Sequence, residues 1–158
     1  MSRYRVIGMV AVILLLLVSC APTNAAKGSG KVLLIAHEQS MDMELMLTKE
    51  VGVMIDLLEK AGFDVIVASE TAQPITESST TLTPDLKLAD VNVDDYVGII
   101  LPCMATDKDA SPRSKETEIV IKAVSQGKPI AAQDYGVYIL AVAGAMNGKK
   151  FAMNSDEK

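Results

Sequence analysis

The sequence predicts an α/β domain in which a parallel sheet carries helices on both faces. Three observations support that prediction. The runs KVLLIA, FDVIVAS, VGIILP and PIAA are short and apolar, as strands buried on both sides of a sheet are. Between them lie segments with apolar residues at helical spacing, ended by a glycine. Strand and helix alternate from Lys31 onward, which implies parallel pairing through right-handed crossovers.

Taken in order, KVLLIA is the first strand and His37–Met43 a polar loop. From about Leu45 to Ala61 the positions Met46, Val53, Met54, Leu57, Leu58 and Ala61 define the apolar face of a helix, and Gly62 stops it. Phe63–Ser69 is the second strand. A span rich in Thr, Ser and Pro runs from Glu70 to about Pro84, followed by the mixed segment LKLADVNVDDY. Val97–Pro102 is a buried strand and Asp107–Ser114 a polar loop. Glu116–Gln126 is an amphipathic helix with Ile119, Val120, Ala123 and Val124 turned inward, ended by Gly127. PIAA then enters the turn Gln-Asp-Tyr-Gly, and a helix of small residues leaves it. In such sheets the functional crevice lies at the carboxyl ends of the strands. The loops after Ala36, Leu101 and Ala132 are therefore expected on one rim.

The first twenty residues are read apart from the fold. Arg3 and Arg5 precede a continuous apolar run from Val6 to Val18, then Ser19 and Cys20. A basic start, a short apolar core and small residues describe a signal peptide, and the run falls short of the roughly 18 residues a spanning helix needs. Leu17-Val18-Ser19-Cys20 resembles the bacterial lipobox, in which the cysteine is acylated and becomes the new N-terminus. The expected organisation is a signal peptide over 1–19, lipidated Cys20 and a flexible tether over 20–30, and the domain over 31–158. The partner of Cys20 is then a lipid bilayer, at the cell membrane or the outer membrane, with the domain outside the cytoplasm. Two acyl chains anchor stably where one is marginal. The alternative is a plain secreted protein with a chance cysteine.

Composition narrows the function classes. The chain of 158 residues has net charge −5. Removing residues 1–19 removes two arginines and no acids, giving −7. That charge argues against nucleic acid as a partner. There are two cysteines, Cys20 and Cys103, and one histidine, His37. No zinc motif is present and no metal or other cofactor is expected. The methionines at positions such as Met46 and Met54 read as core filling.

The blocks VGVMIDLLEKAGFDVIVAS, DDYVGIILPCMA and GKPIAAQDYGVYILAVAGAMNGKK, with KVLLIA before them, resemble the ThiJ/PfpI family of the class I glutamine amidotransferase-like superfamily. The resemblance covers about Lys31 to Lys150 and implies a flavodoxin-like three-layer sandwich. Family domains continue through a further strand and helix, so the C-terminal part is expected to be missing here. Active members, of glyoxalase or deglycase, chaperone or peptidase type, carry an Ala-Ile-Cys-His-Gly elbow. A glutamate at the start of the first helix and glycine amides after Leu-Pro-Gly-Gly support that cysteine. Carried across, the elbow Cys falls on Asp134, the next His on Tyr135 and the elbow glycine on Gly136. The helix Glu falls on Glu50, and the two glycines on Cys103 and Met104.

Asp134 has three readings: a covalent nucleophile, a polar binding group at the crevice, or a remnant that holds the turn through local side-chain-to-backbone bonds. Glu50 either faces Asp134, in which case one carboxyl has a raised pKa or a cation lies between them, or turns to solvent. Cys103 is a displaced nucleophile or a small buried hydrophobe. His37 stands on the same rim and either orients one of the acids or binds a metal with them, although one histidine and scattered acids are a weak metal signal. The expected function is non-catalytic binding of a small molecule or protein partner at the elbow crevice by Asp134, Tyr135, Gly136 and His37, a pseudoenzyme, with a homodimer as a further expectation. The first alternative is a hydrolase or a glyoxalase/deglycase-type enzyme working through Asp134, Glu50 or Cys103. The second is a stress-related chaperone-like protein.

Overall fold

A computed structural model of the chain describes residues 27–40, 42–103 and 114–150. The expected signal peptide, Cys20, Met104, most of the loop before the second long helix and the tail after Lys150 lie outside the described residues.

The fold begins with β1 (Lys31–Ile35), followed by α1 (Met43–Leu45), a π-helical turn (Met46–Val51) and α2 (Gly52–Ala61). Next come β2 (Asp64–Ser69), the hairpin β3 (Ile75–Glu77) and β4 (Thr80–Leu82), and β5 (Leu86–Lys87). After two 3-10 turns follow β6 (Tyr96–Leu101), α3 (Ser114–Ser125), β7 (Ile130–Ala132) and α4 (Tyr135–Val142). Five strands form one sheet in the order β5-β2-β1-β6-β7, every pair parallel. The chain leaves β1 to build one half of the sheet and returns beside it with β6. The switch point of the sheet therefore lies between the carboxyl ends of β1 and β6, where ligands bind in open α/β sheets.

Alternation along β1 divides the core. Leu33 and Ile35 pack with Leu101, Ile119, Val120, Ala123 and Ile139 under α3 and α4. Leu34 and Ala36 pack with Met46, Leu47, Val51 and Val67 under the π turn and α2. Successive strand residues point to opposite faces, so one apolar run serves two cores. This is the predicted three-layer sandwich.

Three local expectations are corrected. The apolar face of the first helical stretch runs Met46, Leu47, Val51, Met54, Ile55 and Leu58, while Val53 and Leu57 are exposed. The cause is the π turn, which advances the chain by one residue and rotates the inward face. Val124 is exposed, and α3 buries only Ile119, Val120 and Ala123 of the four positions predicted to face inward. The Thr/Ser/Pro-rich span contains the β3–β4 hairpin, turned at Ser78 and Ser79, with Ile75 buried in the core. Ser78 takes the left-handed φ (+52°) that Asn or Gly normally supplies in such turns, which is why no turn signature is visible in the sequence.

Candidate functional site at the strand-to-helix elbow

Three elements bring the site together. β7 ends at Ala132, and the Gln133 N–H donates to the Leu101 carbonyl at the end of β6 (3.0 Å), tying the two strand ends side by side. The chain then reverses at Asp134, whose backbone sits at φ 48°, ψ −110°, outside the regions open to L-residues at low energy. Such a conformation costs about 1–3 kcal/mol and persists only where its surroundings hold it. Gly136 makes the turn feasible: a Cβ there would lie 2.4 Å from the Leu101 carbonyl oxygen. This is the geometry of a nucleophile elbow, with a strained residue at the tip and a helix leaving behind it.

The Asp134 side chain makes no capping bond to the helix it precedes. It accepts a hydrogen bond from the Cys103 thiol, Sγ to Oδ2 3.0 Å. The reading of Asp134 as a remnant that holds the turn through its own side chain is therefore corrected. The carboxylate is directed across the crevice to the end of β6, and the backbone contacts around Leu101 hold the turn.

Glu50 enters from the π turn. The Gly52 N–H reaches back to the Leu47 carbonyl, and a Cβ at 52 would stand 2.8 Å from that oxygen. The π turn thus relies on a glycine two residues beyond Glu50, and π turns often mark functional sites. Glu50 faces the elbow rather than solvent. Burial, then the charge of Asp134, then that of Asp42 raise its carboxyl above the usual range. Its Oε2 is buried and has no hydrogen-bond partner. Cys103 is buried and forms no disulfide. Burial, the hydrogen bond to Asp134 and the charges of Asp134 and Glu50 push its thiol up to about 12, against a smaller opposing pull from the Tyr135 backbone. A thiol so placed is protonated at neutral pH and is a poor nucleophile.

Beside this trio, His37 follows β1 and is buried. Its Nε2 lies 2.5 Å from Oε1 of Glu116, which is completely buried at the start of α3. The His37 ring meets the Tyr135 ring edge-on at 5.5 Å. Of the residues singled out in the sequence, Glu50, Cys103, Asp134, Tyr135, Gly136 and His37 all lie around the elbow. Glu116 was missed, although it sits one turn before Ile119 and Val120 on the inward face of α3. An acid in line with a buried stripe was the available signal. Among the described residues no group of three or more His, Cys, Asp and Glu side chains could hold a metal ion. A groove of about 370 Å3 opens nearby between the loop after β1 and the β3–β4 hairpin, lined by Glu38, Gln39, Met43 and Glu77 among others, and none of the elbow trio lines it.

Fold and elbow together define a family. The chain belongs to the DJ-1/PfpI family, whose model matches residues 30–156. It is 31% identical over 121 residues to a deglycase of Pyrococcus abyssi, covering 76% of this chain and 69% of that one. It is 28% identical, with the same coverage, to the deglycase PfpI of Pyrococcus furiosus. The crystal structure of a ThiJ/PfpI domain protein from Brachyspira murdochii superposes with a TM-score of 0.65 at 16% identity, covering 82% of this chain and 73% of that one. The expectation of a non-catalytic binding domain is overturned by the relatives, several of which are named as deglycases. Two acid groups and a thiol converge on the elbow.

Proposed function

We propose that this chain is a deglycase-type enzyme with a changed site, in which two carboxyl groups perform the acid–base chemistry. The observation that carries the reading is the environment of Glu50 and Asp134: one carboxyl is raised by burial and by the other's charge, and the other is held at the elbow tip by the Cys103 thiol. A carboxyl raised by burial, set beside a second carboxyl held by a thiol, is equipped as the acid partner of a base. The relatives named as deglycases support the reaction class, and the substrate taken here is a hemiaminal, the adduct of a reactive carbonyl compound and an amine.

Breakdown of a hemiaminal needs both groups. Asp134 takes the proton of the hydroxyl, and the electron pair released forms the C=O bond. The C–N bond breaks, and the nitrogen takes the proton of Glu50. A carbonyl and a free amine leave, with Asp134 protonated and Glu50 ionised. One proton passing from Asp134 to Glu50 restores the starting state. General acid–base catalysis of this kind contributes about 10²–10⁴-fold. Cys103 stays protonated and serves as the hydrogen-bond donor that orients Asp134.

The test is release of free amine from a dicarbonyl–amine adduct by the purified protein. Release faster than the spontaneous rate, lost in Asp134→Asn, is expected. A rate equal to buffer for the unaltered protein overturns the reading.

The domain is further proposed to act outside the cytoplasm, tethered to a membrane through acylated Cys20. The support is the Leu17-Val18-Ser19-Cys20 ending of a well-formed apolar run. A mass increase on Cys20 and loss of membrane association in Cys20→Ala are expected. An unmodified Cys20 in the membrane fraction contradicts the tether.

A further inference from the structure

Beside the catalytic pair lies a second set of titratable groups that the proposed chemistry does not use. Glu116 is 0% exposed, and its Oε2 is buried with no hydrogen-bond partner. Its Oε1 meets His37 Nε2 at 2.5 Å, so a carboxyl and an imidazole are hydrogen-bonded to each other away from water. Burying such a pair costs several kcal/mol, and apolar residues of similar volume join two elements at least as well. Stability alone therefore gives no reason for the pair. Its place in the fold does. The His37 ring packs edge-on against Tyr135, at 5.5 Å and 79°. Tyr135 directly follows the strained Asp134, and its backbone hydrogen-bonds Cys103.

We propose that Glu116 and His37 are positioning residues of the elbow: Glu116 fixes the orientation of the His37 ring, the ring fixes Tyr135, and Tyr135 sets the Asp134 carboxylate against Cys103. Strain at Asp134 has to be held by neighbours, and this chain of contacts adds to the backbone contacts at Leu101. The pair joins the end of β1 to the first turn of α3, two elements already packed in one core, so the support is rigid. The kinetic consequence of this inference rests on the two-carboxyl mechanism proposed above, whereas its effect on the Cys103 thiol does not.

The test uses the full chain carrying Cys20→Ser, which leaves Cys103 as its single thiol. Two variants are compared in that background: the double change His37→Leu with Glu116→Leu, and the conservative Glu116→Gln. The readouts are melting temperature, the pH profile of Cys103 alkylation, and kcat and KM for adduct breakdown. The double variant is expected to keep its melting temperature while the alkylation profile moves toward neutral pH by about one unit, because the thiol loses its acceptor. Its kcat is expected to fall on the order of tenfold to a hundredfold with KM nearly unchanged. Glu116→Gln, which keeps volume and a hydrogen bond, should show a smaller shift in the same direction. An unmoved profile in a folded double variant overturns the proposal. If the double variant does not fold, an unmoved profile in Glu116→Gln does so. A moved profile in a protein without turnover retains the positioning role and removes the enzymatic reading. Turnover with an unmoved profile does the reverse.

Discussion

At the scale of single residues, Asp134 combines a strained backbone with a carboxylate held by a thiol, and Gly136 makes the combination fit. Gly136→Ala places a methyl against the Leu101 carbonyl and is expected to cost about 3 kcal/mol, measured by denaturant unfolding. A cost near zero contradicts the close approach. Cys103→Ser keeps a donor to Asp134 and is expected to retain most of the turnover, within about tenfold. A complete loss makes the thiol the nucleophile and contradicts the assignment of roles. The positions of Asp134, Tyr135 and Gly136 were legible because the turn QDYG stands between a short apolar strand and a helix. The direction of the Asp134 side chain was not, because it depends on Cys103, thirty-one positions away in sequence and a neighbour only through β6–β7 pairing.

At the scale of elements, the π turn decides where Glu50 points. An ideal α-helix through Met46–Ala61 keeps Met46, Val53 and Leu57 near one face, which is the pattern the sequence shows to a 3.6-residue period. The extra residue moves Val53 and Leu57 outward and brings Val51 and Ile55 in. Periodicity cannot register a single-residue insertion whose only mark is Gly52. Gly52→Ala brings a Cβ to 2.8 Å from the Leu47 carbonyl, so the turn should relax toward α and carry Glu50 away from Asp134. A stability loss of about 1–3 kcal/mol together with a large fall in turnover is expected, read by unfolding and amine release on the same sample. Full activity in this variant separates Glu50 from the chemistry. The strands, in contrast, were visible at once, because a parallel sheet covered on both sides imposes continuous apolar runs that nothing else in a short domain requires.

At the scale of the whole molecule, the elbow leaves a signature in stability against pH. Glu50 is raised in the folded state, so the protein holds a proton there that the unfolded chain has already released. That contribution is complete below the unfolded carboxyl value of about 4.3 and is lost as pH rises through the folded value. Cys103 behaves in the same sense at the alkaline end: its contribution is complete below the unfolded thiol value of about 8.5. It is lost as pH rises toward about 12. Stability should therefore fall with rising pH in both windows. Glu50→Gln should flatten the first fall and Cys103→Ser the second, as read from melting temperature across pH. A first window unaffected by Glu50→Gln means that its carboxyl is not raised by burial and by the charge of Asp134. The switch point between β1 and β6 gathers these groups into one crevice, and alternating strands and helices were enough to predict which loops meet there. Chemistry was harder to foresee, since an Asp134 at the position where the resemblance implies a cysteine suggested loss of function, whereas the proposed mechanism uses that acid together with the raised Glu50.

The most direct test of the central claim is the rate of amine release from a dicarbonyl–amine adduct, compared between the unaltered protein and Asp134→Asn at neutral pH. A catalysed rate that drops by about 10²–10⁴-fold in the variant, with its melting temperature unchanged, is the predicted result. Equal rates in the two proteins contradict a carboxylate-based enzyme at this elbow.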